Sequence, residues 1–128
     1  MRWLALPLLL AACTSVPGDT STADRDFAKL IAGRTAGTPQ SCIDLSQSNG
    51  PQVIDARRIA YHQSGRREWV SDLPEACPGL RRDVTLIVEV YGSQLCENDR
   101  FRTISPGQSI PGANCRFGKF TPFDKPRK

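Results

Sequence analysis

The sequence is poor in the residues that carry most enzymatic chemistry. It has one histidine, His62, one methionine, and four lysines beside thirteen arginines. A Ser-His-Asp arrangement needs an imidazole base, and His62, following Tyr61 beside a turn, is expected to point outward on a strand with no catalytic role. No G-x-S-x-G, P-loop or H-E-x-x-H pattern occurs. No apolar stretch reaches the roughly 20 residues a helix needs to cross a bilayer. The longest, Trp3 to Leu10, is interrupted by Pro7. No two cysteines stand at the close spacing of structural zinc sites. These absences lead to an expectation of a non-enzymatic protein with no metal and no cofactor.

What is present begins at the N-terminus. Arg2, the short apolar stretch and the small residues Ala11 and Ala12 have the order of a secretory signal. Leu10-Ala11-Ala12-Cys13 resembles the bacterial lipobox. That resemblance implies diacylation of Cys13, cleavage before it, and a chain held to a membrane by its lipid, since two acyl chains anchor firmly where one does not. Thr14, by the same resemblance, favours the outer membrane, so the expected location is the periplasmic face of that membrane in the bacterial cell envelope. Residues 1–12 are thus read as signal peptide and 13–23 as acylated cysteine and tether. Residues 24–37 are read as a short helical segment, 38–123 as a single domain, and 124–128 as a basic tail. The whole chain carries a net charge of +4, too mild to define a partner by itself.

Beyond Cys13 remain Cys42, Cys77, Cys96 and Cys115. An even number of cysteines in an oxidising compartment predicts two disulfides. Three connectivities are open, with Cys42–Cys77 and Cys96–Cys115 preferred. Phe27, Leu30 and Ile31 share one face of the expected helix, which Gly33 ends. From Cys42 the pattern turns to β: a strand over Gln52 to His62, imperfect in its alternation and so bulged or shortened, a turn at Gln63-Ser64-Gly65-Arg66 in which Gly65 supplies the unusual backbone angle, and a partner strand from Arg67 to Ser71 with Trp69 inward. Asp83 to Tyr91 alternates most clearly and suits a central strand. Shorter strands are expected over Phe101 to Ile104 and Cys115 to Phe120. The fold class is therefore mainly β, a small antiparallel sheet or partly closed barrel with a short N-terminal helix and two disulfides.

The candidate binding residues are Arg57, Arg58, Tyr61, Arg66, Arg67 and Trp69, basic and aromatic side chains gathered on one hairpin. Arginine forks suit phosphate and carboxylate, so the expected partners, besides the membrane held through Cys13, are an anionic envelope component or an envelope protein. Basic residues among aromatics also suit single-stranded nucleic acid, but the compartment argues against it. Paired carboxylates occur at Glu97 and Asp99 and at Glu68 and Asp72. A wall-sugar hydrolase would need two such groups across a cleft, and solvated turn charge is the simpler reading.

From Cys42-Ile43 through Cys77-Pro78-Gly79-Leu80 and Leu95-Cys96-Glu97-Asn98-Asp99 to Cys115-Arg116-Phe117-Gly118-Lys119-Phe120-Thr121-Pro122, the chain resembles small proteobacterial lipoproteins of unknown function. The resemblance implies structure only. Lipidated lysozyme inhibitors share its size and place but not its detailed motif. Inhibition of a wall-degrading enzyme or protease, through the Ser105 to Gly112 segment held by Cys115, is the alternative expectation.

Overall fold

The computed structural model describes residues 20–127. The signal, the lipobox and Cys13 lie outside the described residues. Among the described residues the fold is mainly β with one α-helix, α1 (Thr20–Ile31), and strands β1 (Thr35–Ala36), β2 (Cys42–Asp44), β3 (Asn49–Val53), β4 (Arg58–Gln63), β5 (Arg67–Asp72), β6 (Thr85–Val88), β7 (Gln94–Cys96), β8 (Arg100–Ile104), β9 (Cys115–Arg116) and β10 (Phe120–Asp124). Three antiparallel sheets form: β1-β10-β5-β4-β3, β2-β7 and β6-β8-β9. They do not close into a barrel, so of the two expected forms the open antiparallel sheet is the one found.

The centre of the five-stranded sheet, β4 and β5, is buried on both faces. Alternation along β4 and β5 sends Ile59, Tyr61, Trp69 and Ser71 to one side and Ala60 and Val70 to the other. The first side joins the main core, where Leu95, Phe101, Phe117 and Phe120 are fully enclosed. The smaller sheets cover this side, β6 contributing Leu86 and Val88 and β2 and β7 contributing Ile43 and Leu95. The second side takes α1, whose Phe27 and Leu30 sit on Ile54, Ala60, Val70 and Phe123. Phe27 meets Phe123 edge-on at 6.0 Å between ring centroids. The helix starts at Thr20, inside the stretch read as tether. It ends before Gly33, whose φ of +71° is a left-handed conformation that glycine adopts freely.

Several local expectations are corrected. Gln52 to His62 is not one strand but two, β3 and β4, because Asp55 turns the chain by accepting the Arg57 backbone N–H at 2.7 Å. In the next turn the left-handed residue is Ser64, with φ +52°, not Gly65. β6 is an edge strand of its sheet rather than a central one, and Ile87 on its outer face is exposed. Cys115 to Phe120 splits into β9 and the start of β10 around Phe117 to Lys119. The preferred disulfide pairing is also replaced: Cys42 joins Cys96 and Cys77 joins Cys115. Cys42 and Cys96 are directly opposite across β2 and β7, a proximity that sequence distance hides.

Gly118 lies against the backbone of β5. A Cβ there would overlap the Asp72 carbonyl, so no other residue fits unless the strands part. Ser71, fully buried, accepts the Gly118 N–H at 3.0 Å and donates to its carbonyl at 3.1 Å. The substitution Gly118→Ala is expected to lower stability by about 1–3 kcal/mol, as overpacking of a tight backbone contact does, read from urea unfolding. Replacing Cys42 and Cys96 together by alanine is expected to cost about 4 kcal/mol, from the chain entropy of the closed loop, while unreduced peptide mapping of the native chain recovers the Cys77–Cys115 and Cys42–Cys96 fragments.

Candidate functional site

The hairpin of β4 and β5 carries all six sequence-selected residues or abuts them, but it does not present them as one surface. Tyr61 is buried in the main core beside Phe117 and Phe120, and burial pushes its phenol well above the usual range. Trp69 is buried too, its indole N–H donating to the Gln63 side-chain oxygen at 2.6 Å. Neither ring is open to a ligand. Arg58 lies at the start of β4, its guanidinium 4.3 Å from the Phe27 ring and paired with Asp24 and Asp55 at 2.9 and 2.6 Å. It pins α1 to the sheet. Arg57 is exposed beside it and donates weakly to the Pro74 carbonyl at 3.4 Å.

Arg66 and Arg67 lie at the other end of the hairpin. Arg67 forks onto Asp124 through two bonds of 2.6 and 2.7 Å and stacks 5.1 Å from the Trp69 ring. Arg66 is exposed, and its carbonyl accepts the Lys125 N–H at 2.9 Å. That bond brings the C-terminal residues against the turn. The result is an open hollow of about 250 Å³ with Gln63, Arg66, Arg67, Asp124, Lys125 and Arg127 in its wall. Among the described residues, the side chains of Arg66, Lys125 and Arg127 form no ion pair. Arg67 is already neutralised by Asp124, so the three others give the hollow its charge. Lys125 and Arg127 belong to the segment read as a basic tail.

A second charged group was not anticipated. On the helix side of the hairpin, Glu68 is buried with its carboxylate against His62 Nδ1. Arg34, just beyond α1, reaches the same carboxylate at 3.9 Å, and both Arg34 and Glu68 side chains are only 7% exposed. Arg34 Nε also donates to the Leu30 carbonyl at 3.1 Å, closing the end of α1, while its Nη1 has no partner. His62 is 44% exposed, so it does not point wholly outward as expected. The register that places Tyr61 opposite Trp69 also places His62 opposite Glu68, and pairing the two predicted strands would have exposed that contact in the sequence. Arg34 carried no such signal, lying 34 residues from Glu68 in a segment read only as helix.

The paired carboxylates Glu97 and Asp99 are engaged in local hydrogen bonds rather than facing each other across a cleft. Asp99 accepts the Cys96 N–H at 2.7 Å across a turn with Asn98 at φ +70°, and Glu97 accepts the Ser41 hydroxyl at 3.2 Å. Among the described residues no group of three or more histidine, cysteine or acidic side chains is placed to hold a metal ion, and no helix is long and apolar enough to cross a membrane.

The fold thus defines a small disulfide-bridged β protein with a helix on one face of its main sheet and a basic hollow at one hairpin tip. The chain belongs to DUF6491, a family of unknown function, whose model matches residues 1–127. No curated protein and no solved structure matches it.

Two outcomes follow from these contacts. Glu68→Ala would leave the Arg34 charge buried without its carboxylate and is expected to cost about 3 kcal/mol or more; equilibrium unfolding with circular dichroism checks it. The Arg67 fork holds the Asp124 carboxyl below the usual carboxylate range. A carboxyl lowered in the folded state adds stability above its unfolded pKa of about 3.9 and loses it as pH falls through the folded value. Acid unfolding of Asp124→Asn is therefore expected to show a shallower loss of stability below about pH 4 than the native chain.

Proposed function

We propose that this chain is a lipid-anchored, non-enzymatic protein of the bacterial cell envelope, located on the periplasmic face of the outer membrane, that binds an anionic envelope component. The observation that carries the binding role is the hollow at the β4–β5 tip, where Arg66, Lys125 and Arg127 stand together without carboxylate partners among the described residues. Guanidinium and ammonium groups held around a concavity suit phosphate or carboxylate groups, arginine by forked hydrogen bonds and lysine as a point charge. Two disulfides support the oxidising compartment. The lipobox at Leu10 to Cys13 supports the anchor.

This reading divides the hairpin arginines by role. Arg58 and Arg67 are held in ion pairs that brace the fold, and Arg66 is free for a ligand. The triple variant Arg66→Gln, Lys125→Gln, Arg127→Gln is expected to weaken retention of the full chain on purified lipopolysaccharide or peptidoglycan by about tenfold, with the native binding falling as salt rises, and to leave the melting temperature unchanged. Equal retention of native and variant chains on both materials refutes the binding role of the hollow.

A second reading has its own observation. The segment from Ser105 to Gly112 lifts Ile110, 81% exposed, on a loop tied to β8: the Gly112 N–H donates to the Thr103 carbonyl at 2.8 Å, and Arg102 Nε donates to the Gly112 carbonyl at 3.1 Å. A fixed loop bearing one apolar side chain suits an inhibitor that fills an enzyme cleft. Residual activity of lysozymes and proteases mixed with the native chain and with Ile110→Ala discriminates this reading from the first.

A further inference from the structure

The geometry points to a lipid-facing end of this protein, at which Arg100 and Arg116 fork the phosphates of an anionic phospholipid surface with Arg102 beside them. The inference rests on the reading of the chain as lipid-anchored and adds to it which end of the domain meets the lipid. Arg100 and Arg116 are directly opposite across β8 and β9. Like charges in that position disfavour strand pairing, so the fold itself does not account for them. Both are exposed, and among the described residues neither forms an ion pair. Arg102, two residues along β8, shares their face of the sheet. Its Nε is fixed on Gly112, which leaves its terminal nitrogens for a ligand.

Arg100 and Arg116 border a hollow of about 430 Å³ that also takes in Ala76, Asn114 and Glu75. Glu75 is the carboxylate within it, and Glu89, whose N–H donates to the Arg100 carbonyl at 2.9 Å, is the one alongside. The arginines outnumber the two acids, and a phosphate bracketed between Arg100 and Arg116 receives paired donors from both sides.

The choice of lipid as occupant comes from where the chain enters the domain. Ala76 is shared with a neighbouring hollow whose other walls include Ala23 and Asp24 of α1 and Arg57. The first turns of α1 and the Arg100–Arg116 pair therefore adjoin the same residue. Seven peptide steps separate Cys13 from Thr20 and span at most about 25 Å. An acylated Cys13 keeps this end near the bilayer. The β4–β5 hairpin runs from Arg58 opposite Asp72 at this end to Gln63 opposite Arg67 at its tip, which carries the Arg66 hollow about 17 Å along the strands.

The test uses the full chain reconstituted into vesicles of phosphatidylcholine alone or of phosphatidylcholine with phosphatidylglycerol, treated with an arginine-specific dicarbonyl reagent and read by peptide mass. Modification of Arg100, Arg102 and Arg116 is expected to slow about fivefold on the anionic vesicles and to recover in high salt, while Arg66 and Arg127 react equally on both. Equal reaction of the three arginines on both vesicles overturns the inference, as does equal protection on both, which would mean contact without phosphate recognition. A chain that fails to stay on neutral vesicles refutes the anchor instead. The face is then judged by sedimentation with anionic vesicles, which upholds it if Arg100→Gln, Arg102→Gln, Arg116→Gln abolishes binding and refutes it if binding is absent or unchanged.

Discussion

The contact between Gly118 and β5 is the constraint on which the rest of the packing rests. The segment from Phe117 to Phe120 has to carry two large rings into the core within four residues. It does so only because the backbone between them can touch the Asp72 carbonyl, with the Ser71 hydroxyl satisfying Gly118 on both its polar atoms. Phe117 then sits 4.7 Å from Phe101 and 5.8 Å from Phe120, and these rings join the β6-β8-β9 sheet to the five-stranded one. The Cys77–Cys115 disulfide holds the same junction by a covalent link. A small domain with a modest core gains most from cross-links between layers, and both bridges join segments far apart in sequence.

The charges fall into two populations with different physics. Glu68, Arg34 and Arg58 are partly or wholly withdrawn from water and matched to partners, and together they hold α1 on the sheet. Such pairs are retained at a desolvation cost that only good geometry offsets. Arg66, Arg100, Arg116, Lys125 and Arg127 face solvent and lack partners among the described residues. Surface charges like these contribute little to stability, so their placement bears on what the protein meets rather than on how it folds. A preference for arginine over lysine across the chain is consistent with both uses, since the planar fork serves a buried carboxylate and an external phosphate equally well.

Much of the architecture was legible in the sequence because it rests on period-two burial. Leu86 and Val88 fall on one face of the Asp83 to Tyr91 stretch by the two-residue period of a strand, as Ile59, Tyr61 and Trp69 do on theirs. What failed depended on position in space. β6 is as apolar on one side as a central strand yet lies at an edge, because alternation reports faces and not neighbours. The β3–β4 turn at Asp55-Ala56-Arg57 contains no glycine or proline and is made by one aspartate side chain, so it reads as strand. Disulfide partners were hidden for the same reason, Cys42 and Cys96 being brought opposite by strands 54 residues apart. At the site, arginine-rich composition suggested the hairpin but could not separate Arg66 from Arg67, whose partner Asp124 arrives from the far end of the chain. The burial of Tyr61 and Trp69, by contrast, follows from the inward alternation that placed them in the fold, and it removes them from any surface.

The margins of the main sheet have a consequence for how copies of this protein coexist. One margin, β1, is two residues long. The other, β3, contains Pro51, which has no N–H to donate, and its pairing with β4 slips between Asn49 and Gln52. Neither offers the unbroken row of donors and acceptors that strand addition requires. Copies crowded together therefore lack a ready template for extending the main sheet, and growth along it would have to break or straighten one of these two margins.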